Sequence, residues 1–163
     1  MKTLLLGDIC PTYKTAELYK KGATDELFTD TLKLFNSKDF IFANLECALT
    51  ESDGAIKKFG PNLKAPLETA QVMKDLGITC VGLSNNHIFD FGIKGYTDTK
   101  KALDMAGLEY TGFGKDLKDS RTNYYFEKNG ERICIIAVCE HEYSYALPDR
   151  MGSRPFDEFE TIE

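Results

Sequence analysis

Three times in this chain a short apolar run ends in a polar cluster. Leu4-Leu5-Leu6 runs into Gly7-Asp8, Phe40-Ile41-Phe42-Ala43 into Asn44-Leu45-Glu46, and the stretch from Ile78 to Leu83 into Ser84-Asn85-Asn86-His87. Apolar runs this short, without polar alternation, are the pattern of strands covered on both faces. The segments between them carry helical spacing instead. Strands that alternate with helices imply right-handed crossovers and a largely parallel sheet with helices packed on it.

The helical segments are read from their apolar faces and end signals. Leu27, Phe28, Leu32, Leu34 and Phe35 predict a helix over Asp25 to Phe35, capped by Thr24 with acids in its first turn. Leu67, Ala70, Met73 and Leu76 mark a second, with Pro66 near its start and Gly77 past its end. Tyr96 to Ala106 reads as a third, stopped by Gly107 before a short strand from Leu108 to Thr111. Asn129-Gly130 between Thr122 to Lys128 and Arg132 to Val138 predicts a tight antiparallel hairpin. The expected fold class is therefore α/β, with a largely parallel sheet, helices and a C-terminal β-hairpin. Asp149 to Glu163 shows no closing element, so the chain is expected to be a single domain over 1–163 that stops partway.

Composition narrows the function classes. A net charge of -6 and no basic cluster longer than a pair exclude a nucleic-acid surface. Five cysteines without a CxxC spacing argue against a disulfide framework or a zinc knuckle and fit reduced thiols in a cytoplasmic setting. Cys80 and Cys134 alternate with apolar neighbours and read as packing residues. The N-terminal apolar run is too short for a signal-peptide core or a membrane span and reads as a buried first strand.

Strands of a parallel sheet end on one edge, so residues that follow them converge. Here that edge collects Asp8, Glu46, Asn86 and His87, whose oxygens and imidazole suit one or two divalent cations. Taken singly, each has another reading. Asp8 also fits a turn cap, Glu46 a rim ion pair, Asn85-Asn86 a left-handed turn, and His87 a partly buried hydrogen-bonding residue. Asp90 either orients His87 through a ring nitrogen or caps the following helix. Three polar strand ends on one edge favour a shared site.

These same residues carry a resemblance. Gly7-Asp8, Asn44-Leu45-Glu46, Lys58-Phe59-Gly60 and Ser84-Asn85-Asn86-His87 with Asp90, Gly92 and Gly95, followed by Ala106-Gly107 and Thr111-Gly112, resemble in order the motifs of the bacterial capsule-synthesis CapA (poly-γ-glutamate) family. That family is a branch of the calcineurin-like metallophosphatases, so the resemblance implies the N-terminal half of a metallophosphatase-like α/β sandwich. It also implies that Asp8, Glu46 and Asn86 ligate divalent metal (Mn2+, Mg2+, Zn2+ or Fe2+). His87 would act near the leaving group with Asp90 beside it, in metal-assisted hydrolysis of a phosphate ester on a small-molecule or polymer substrate.

The departures are specific. Glu46 stands where the wider superfamily has a bridging aspartate, and Cys10 where it has a histidine two residues after the first aspartate. Cys10, Asn85 and His141 are additional candidates at the site. The later histidine motifs are missing, so this chain alone is expected to be inactive and to bind metal weakly. The alternative is a non-catalytic binding or assembly component of surface-polymer synthesis. An uncovered sheet edge or face further predicts homo-oligomers.

Overall fold

A computed structural model describes residues 1–140 and 142–161. Strand β1 (Thr3–Ile9) is followed by helices α1 (Tyr13–Lys20) and α2 (Thr24–Phe28), a 3-10 helix (Thr29–Leu34) and strand β2 (Phe40–Leu45). Strands β3 (Ala48–Leu49) and β4 (Lys64–Ala65), helix α3 (Thr69–Asp75), strand β5 (Cys80–Gly82) and helix α4 (Gly92–Ala106) come next. The chain continues through β6 (Glu109–Thr111), β7 (Phe113–Gly114), α5 (Leu117–Ser120), the hairpin β8 (Tyr124–Lys128) and β9 (Glu131–Ile135), and β10 (Gly152–Ser153).

The central sheet has the order β1-β2-β5-β6 and every pairing in it is parallel, as the alternation of strands and helices predicts. Its core gathers Ile41 and Leu45 of β2, Leu49 of β3, Met73 of α3, Leu103 of α4, and Ile78, Leu83 and Ile88 from the segments flanking β5. Asn129 and Gly130 both have positive φ (53° and 78°), the conformation that a two-residue hairpin with matching strand twist requires. The hairpin packs Tyr124 and Phe126 against Phe40 at the start of β2, with ring centroids 6.2 and 5.1 Å apart.

Several expectations change. β1 is an edge strand, partly exposed along its length with Leu5 66% accessible, and Asp8 lies inside it rather than after it. The segment 25–35 is not one helix: α2 gives way at Thr29, whose φ of 41° is incompatible with a continuing α-helix, to a 3-10 turn. Thr24 is the first helical residue and its hydroxyl does not cap; Ala23 holds the cap position. The apolar side chains still find a core, since Leu27, Phe28, Leu32 and Phe35 pack on Tyr19, Val72 and Leu76. Cys134 faces outward on β9, whereas Cys80 is buried.

The C-terminal stretch does close on the domain. β10 pairs antiparallel with β7, and Arg154, itself buried, donates to Asn123 Oδ1 at 2.5 Å. Its backbone N–H donates to the Gly112 carbonyl at 2.8 Å. Gly112 has a φ of 90°, and a Cβ there would meet Ala137 Cβ at 2.7 Å and Ser84 Cβ at 2.8 Å. Only glycine lets the backbone pass so close behind the loop that follows β5.

Candidate functional site at the strand ends

Three chain segments meet at the C-terminal ends of the parallel strands. Asp8 in β1 is paired in register with Asn44 in β2, and Glu46 follows β2 directly. The loop after β5 supplies Asn85, Asn86, His87 and Asp90. Helix α4 begins only at Gly92, so Asp90 is not its cap.

Asn44 donates to Asp8 Oδ1 at 2.8 Å and to Glu46 Oε2 at 3.2 Å, holding the two carboxyl groups together. Burial pushes the Glu46 carboxyl up to about 7, helped by its hydrogen bond to Asp8 and by the Asp8 charge, with Asn44 acting the other way. The hydrogen bonds from Asn44 and then Glu46 hold Asp8 below the usual carboxylate range. Within the pair the proton is therefore held more readily by Glu46 than by Asp8. Two carboxyl groups this close cannot both ionise cheaply without a cation beside them.

Asn85 is the hinge of the arrangement. Its Nδ2 donates to Asn44 Oδ1 at 3.1 Å and to the Leu45 carbonyl at 2.9 Å. Its Oδ1 accepts from the backbone N–H groups of His87 and Ile88, at 3.0 and 2.9 Å. With all four bonds made inside the protein, Asn85 holds its neighbours in place. The Asn86 side chain is half-buried and makes no hydrogen bond among the described residues, while its carbonyl accepts from Lys58 and Tyr143.

His87 and Asp90 form a second pair, Nδ1 to Oδ2 at 2.7 Å. This fixes the ring through Nδ1 and leaves Nε2 as the nitrogen available to a substrate or ion. Asp90, fully buried at 0% exposure, also accepts from the Leu63 N–H at Oδ2 (2.7 Å), while its Oδ1 accepts from the Tyr143 hydroxyl at 2.8 Å and pairs with Lys58. Lys58 is 8% exposed, with Nζ 3.2 Å from His87 Nδ1 and 5.6 Å from the Tyr143 ring centroid. Burial and donation to Asp90 push the Tyr143 hydroxyl upward, so it stays a donor.

The loop between β3 and β4 delivers Lys58. Its ends are tied by the parallel pairing of Ala48 with Lys64, and its interior by the Ile56 N–H donating to the Asp90 carbonyl at 2.9 Å. Sequence reasoning did not place Asn44, Lys58 or Tyr143 at the site. The signals were present for two of them, in Asn44-Leu45-Glu46 and Lys58-Phe59-Gly60, whereas nothing in Glu142-Tyr143 marked the third. Of the remaining candidates, Cys10 is a half-buried side chain packed against the core cluster, and His141 lies outside the described residues.

As a metal site the donor set is partial. Asp8, Glu46 and Asn86 offer the oxygens that a hard divalent cation prefers. Yet no group of three or more His, Cys, Asp and Glu suited to a metal ion occurs among the described residues. A cleft of about 490 Å³ lies elsewhere, along the free side of β6, and none of these residues lines it.

Residues 2–159 match the family of the bacterial capsule synthesis protein PGA_cap. The chain is 33% identical over 139 residues to the capsule biosynthesis protein CapA of Bacillus anthracis, covering 83% of this chain and 34% of that protein. It is 26% identical over 139 residues to the PGA biosynthesis protein CapA of Bacillus subtilis, covering 83% of this chain and 36% of that protein. A probable polyglutamine synthesis accessory protein of Mycobacterium tuberculosis is 39% identical over 72 residues, 44% of this chain and 19% of that protein. The chain thus spans about a third of the length of the two CapA relatives.

Proposed function

This chain belongs to the bacterial capsule synthesis family PGA_cap, and on that footing we propose that it contributes part of a divalent-metal-dependent, phosphoesterase-like hydrolase site in capsule (poly-γ-glutamate) synthesis. The observation that carries this reading is the 3.1 Å bond from Asn85 to Asn44, which ties the carboxyl pair to the loop bearing His87 and Asp90. Asp8 and Glu46, with Asn86, would hold the cation. A bound cation would draw charge from a phosphoryl oxygen and make water more acidic.

The chain's own residues supply the rest. Asp90 accepts from His87 Nδ1 and orients the ring, so that Nε2 can present a proton to the leaving-group oxygen. Lys58 balances the buried charge of Asp90 and, with Tyr143, keeps that carboxylate from turning away. The Mn2+-loaded full-length protein that carries this segment is expected to hydrolyse a generic phosphomonoester or phosphodiester. Asp8→Asn and His87→Ala should each lower that turnover by about a hundredfold or more.

A second reading has one observation in its favour, the incomplete donor set among the described residues. On that reading the domain serves binding or assembly in surface-polymer synthesis and performs no hydrolysis. Lack of turnover with Mn2+, Mg2+, Zn2+ and Fe2+ in the full-length protein would decide for it.

A further inference from the structure

We propose that the cleft along the free edge of β6 is a docking groove for an extended peptide segment bearing a lysine or arginine, which adds to the central sheet as an antiparallel strand beside Tyr110. β6 ends the sheet order, and its one paired side faces β5. The Leu83 N–H donates to the Thr111 carbonyl at 2.9 Å, so Thr111 turns its backbone groups toward β5. Backbone groups alternate along a strand, which leaves the N–H and C=O of Tyr110 facing the open edge. Both can bond to a single residue of an antiparallel segment.

The cleft has the groups to hold such a segment. Tyr96 of α4 lines it at 7% exposure, and its hydroxyl makes no hydrogen bond among the described residues. Burial, above all, pushes that hydroxyl upward, so it stays a donor. Arg154 donates to Asn123 Oδ1 at 2.5 Å, which fixes the Asn123 amide and leaves Nδ2 as a second donor for the cleft that Asn123 lines. Polar groups this deeply buried are ordinarily bonded, so an unpaired phenol at a cleft points to an occupant.

Charge selects that occupant. Lys100 is matched by Asp104 at 2.6 Å. Among the described residues Glu109 has no ion pair, and Asp119 accepts only from the Lys115 N–H, at 2.9 Å. Two carboxylates without an opposing ammonium favour a cation over an anion. In an antiparallel pairing centred on Tyr110, the next residue of the segment falls opposite Glu109, where a lysine or arginine makes a cross-strand pair. The volume of about 490 Å³ suits a drug-sized molecule. That is room for a few residues of one extended chain and too little for the edge of a second folded sheet. None of the residues in the hydrolase reading lines this cleft, and the proposal does not depend on that reading.

The test is an NMR titration of the isotope-labelled full chain with acetyl-Thr-Val-Lys-Val-amide and with the same peptide carrying Glu in place of Lys. The largest amide shifts are expected at Tyr110 and its neighbours, with slowed hydrogen exchange at the Tyr110 amide. The Lys peptide should bind about five- to tenfold more tightly than the Glu peptide. Glu109→Lys, at an exposed position, should reverse that preference and leave the rest of the spectrum unchanged. Tyr96→Phe should weaken both peptides about threefold. An unmoved Tyr110 amide at about 5 mM peptide, or equal binding of the two peptides, would overturn the proposal. Lysine amide binding as tightly as the peptide would do so too, by making the cleft a small-molecule site. Tyr110 shifts that follow protein concentration without peptide would overturn it in favour of a second copy.

Discussion

Asn85 reaches across from the loop after β5 to donate to Asn44 Oδ1 at 3.1 Å, and through this contact the two halves of the candidate site share one frame. Asn85 also satisfies the backbone N–H groups of His87 and Ile88 and the carbonyl of Leu45. Its own carbonyl accepts from the hydroxyls of Ser144 and Ser153, both at 3.4 Å, so the C-terminal stretch buttresses it from behind.

Replacing Asn85 with Ala should therefore cost about 2–4 kcal/mol, because it leaves two backbone donors and the Leu45 acceptor unpaired in a buried site. Denaturant melts of the purified chain measure this directly. A loss below 0.5 kcal/mol, within the ordinary range for a surface substitution, would show that the frame is held elsewhere.

Lys58 and Asp90 should behave as a coupled pair. Asp90→Ala strands a nearly buried ammonium and is expected to cost about 3–5 kcal/mol. In Lys58→Met the carboxylate keeps the Leu63 N–H, Tyr143 and His87, so the loss should be smaller. The double variant Lys58→Met, Asp90→Ala should recover part of the Asp90 loss. Strict additivity in the double-mutant cycle would contradict the pairing.

The four strands of the central sheet were legible in the sequence because each carries a short apolar run, and all four fall within or across the segments so read. The exposure of β1 was not, since an apolar Leu4-Leu5-Leu6 run looks the same whether or not something covers it. The helix over 25–35 failed for a related reason: its apolar spacing reports packing against Val72 and Leu76, which a 3-10 turn satisfies as well as an α-helix. At the site, polar residues after strands were easy to see. Lys58 showed only as part of Lys58-Phe59-Gly60, and Tyr143 not at all, because both arrive from loops whose paths are set by long-range contacts.

His87 separates a site role from a packing role. Its side chain is 12% exposed and its one strong side-chain bond is to Asp90, which keeps three other partners when the ring is removed. His87→Ala should cost only about 1 kcal/mol in this chain. In the full-length protein it should lower turnover while leaving metal content intact. A loss of metal together with activity would make His87 a ligand, and a large drop in Tm with unchanged activity would remove it from the site.

Asp98 gives a pH signature away from the site. The Lys94 ion pair and then the Thr50 hydroxyl hold its carboxyl below the ordinary range. Because the folded value is depressed, the unfolded chain binds the proton more readily. The contribution is therefore present above the unfolded value of 3.8 and is lost as pH falls through the lower folded value. Asp98→Asn should cost on the order of 1 kcal/mol at pH 7, chiefly through the bond to the buried Thr50 hydroxyl, and the difference from the parent should shrink in urea melts as pH falls below 3.8.

The exposed side of β1 bears on assembly. An edge strand presents unpaired backbone groups, and Leu5, 66% accessible, adds an apolar side chain to them. Charged residues on such edges are the usual means by which proteins block pairing between copies. This chain is accordingly expected to self-associate as its concentration rises, with an averaged mass by light scattering above that of the 18.3 kDa monomer. Leu5→Lys should return it toward the monomer without lowering Tm, since the side chain packs little in the isolated chain. A chain that stays monomeric at high concentration would show that β1 is protected as it stands. Association undiminished in Leu5→Lys would move the contact to another surface.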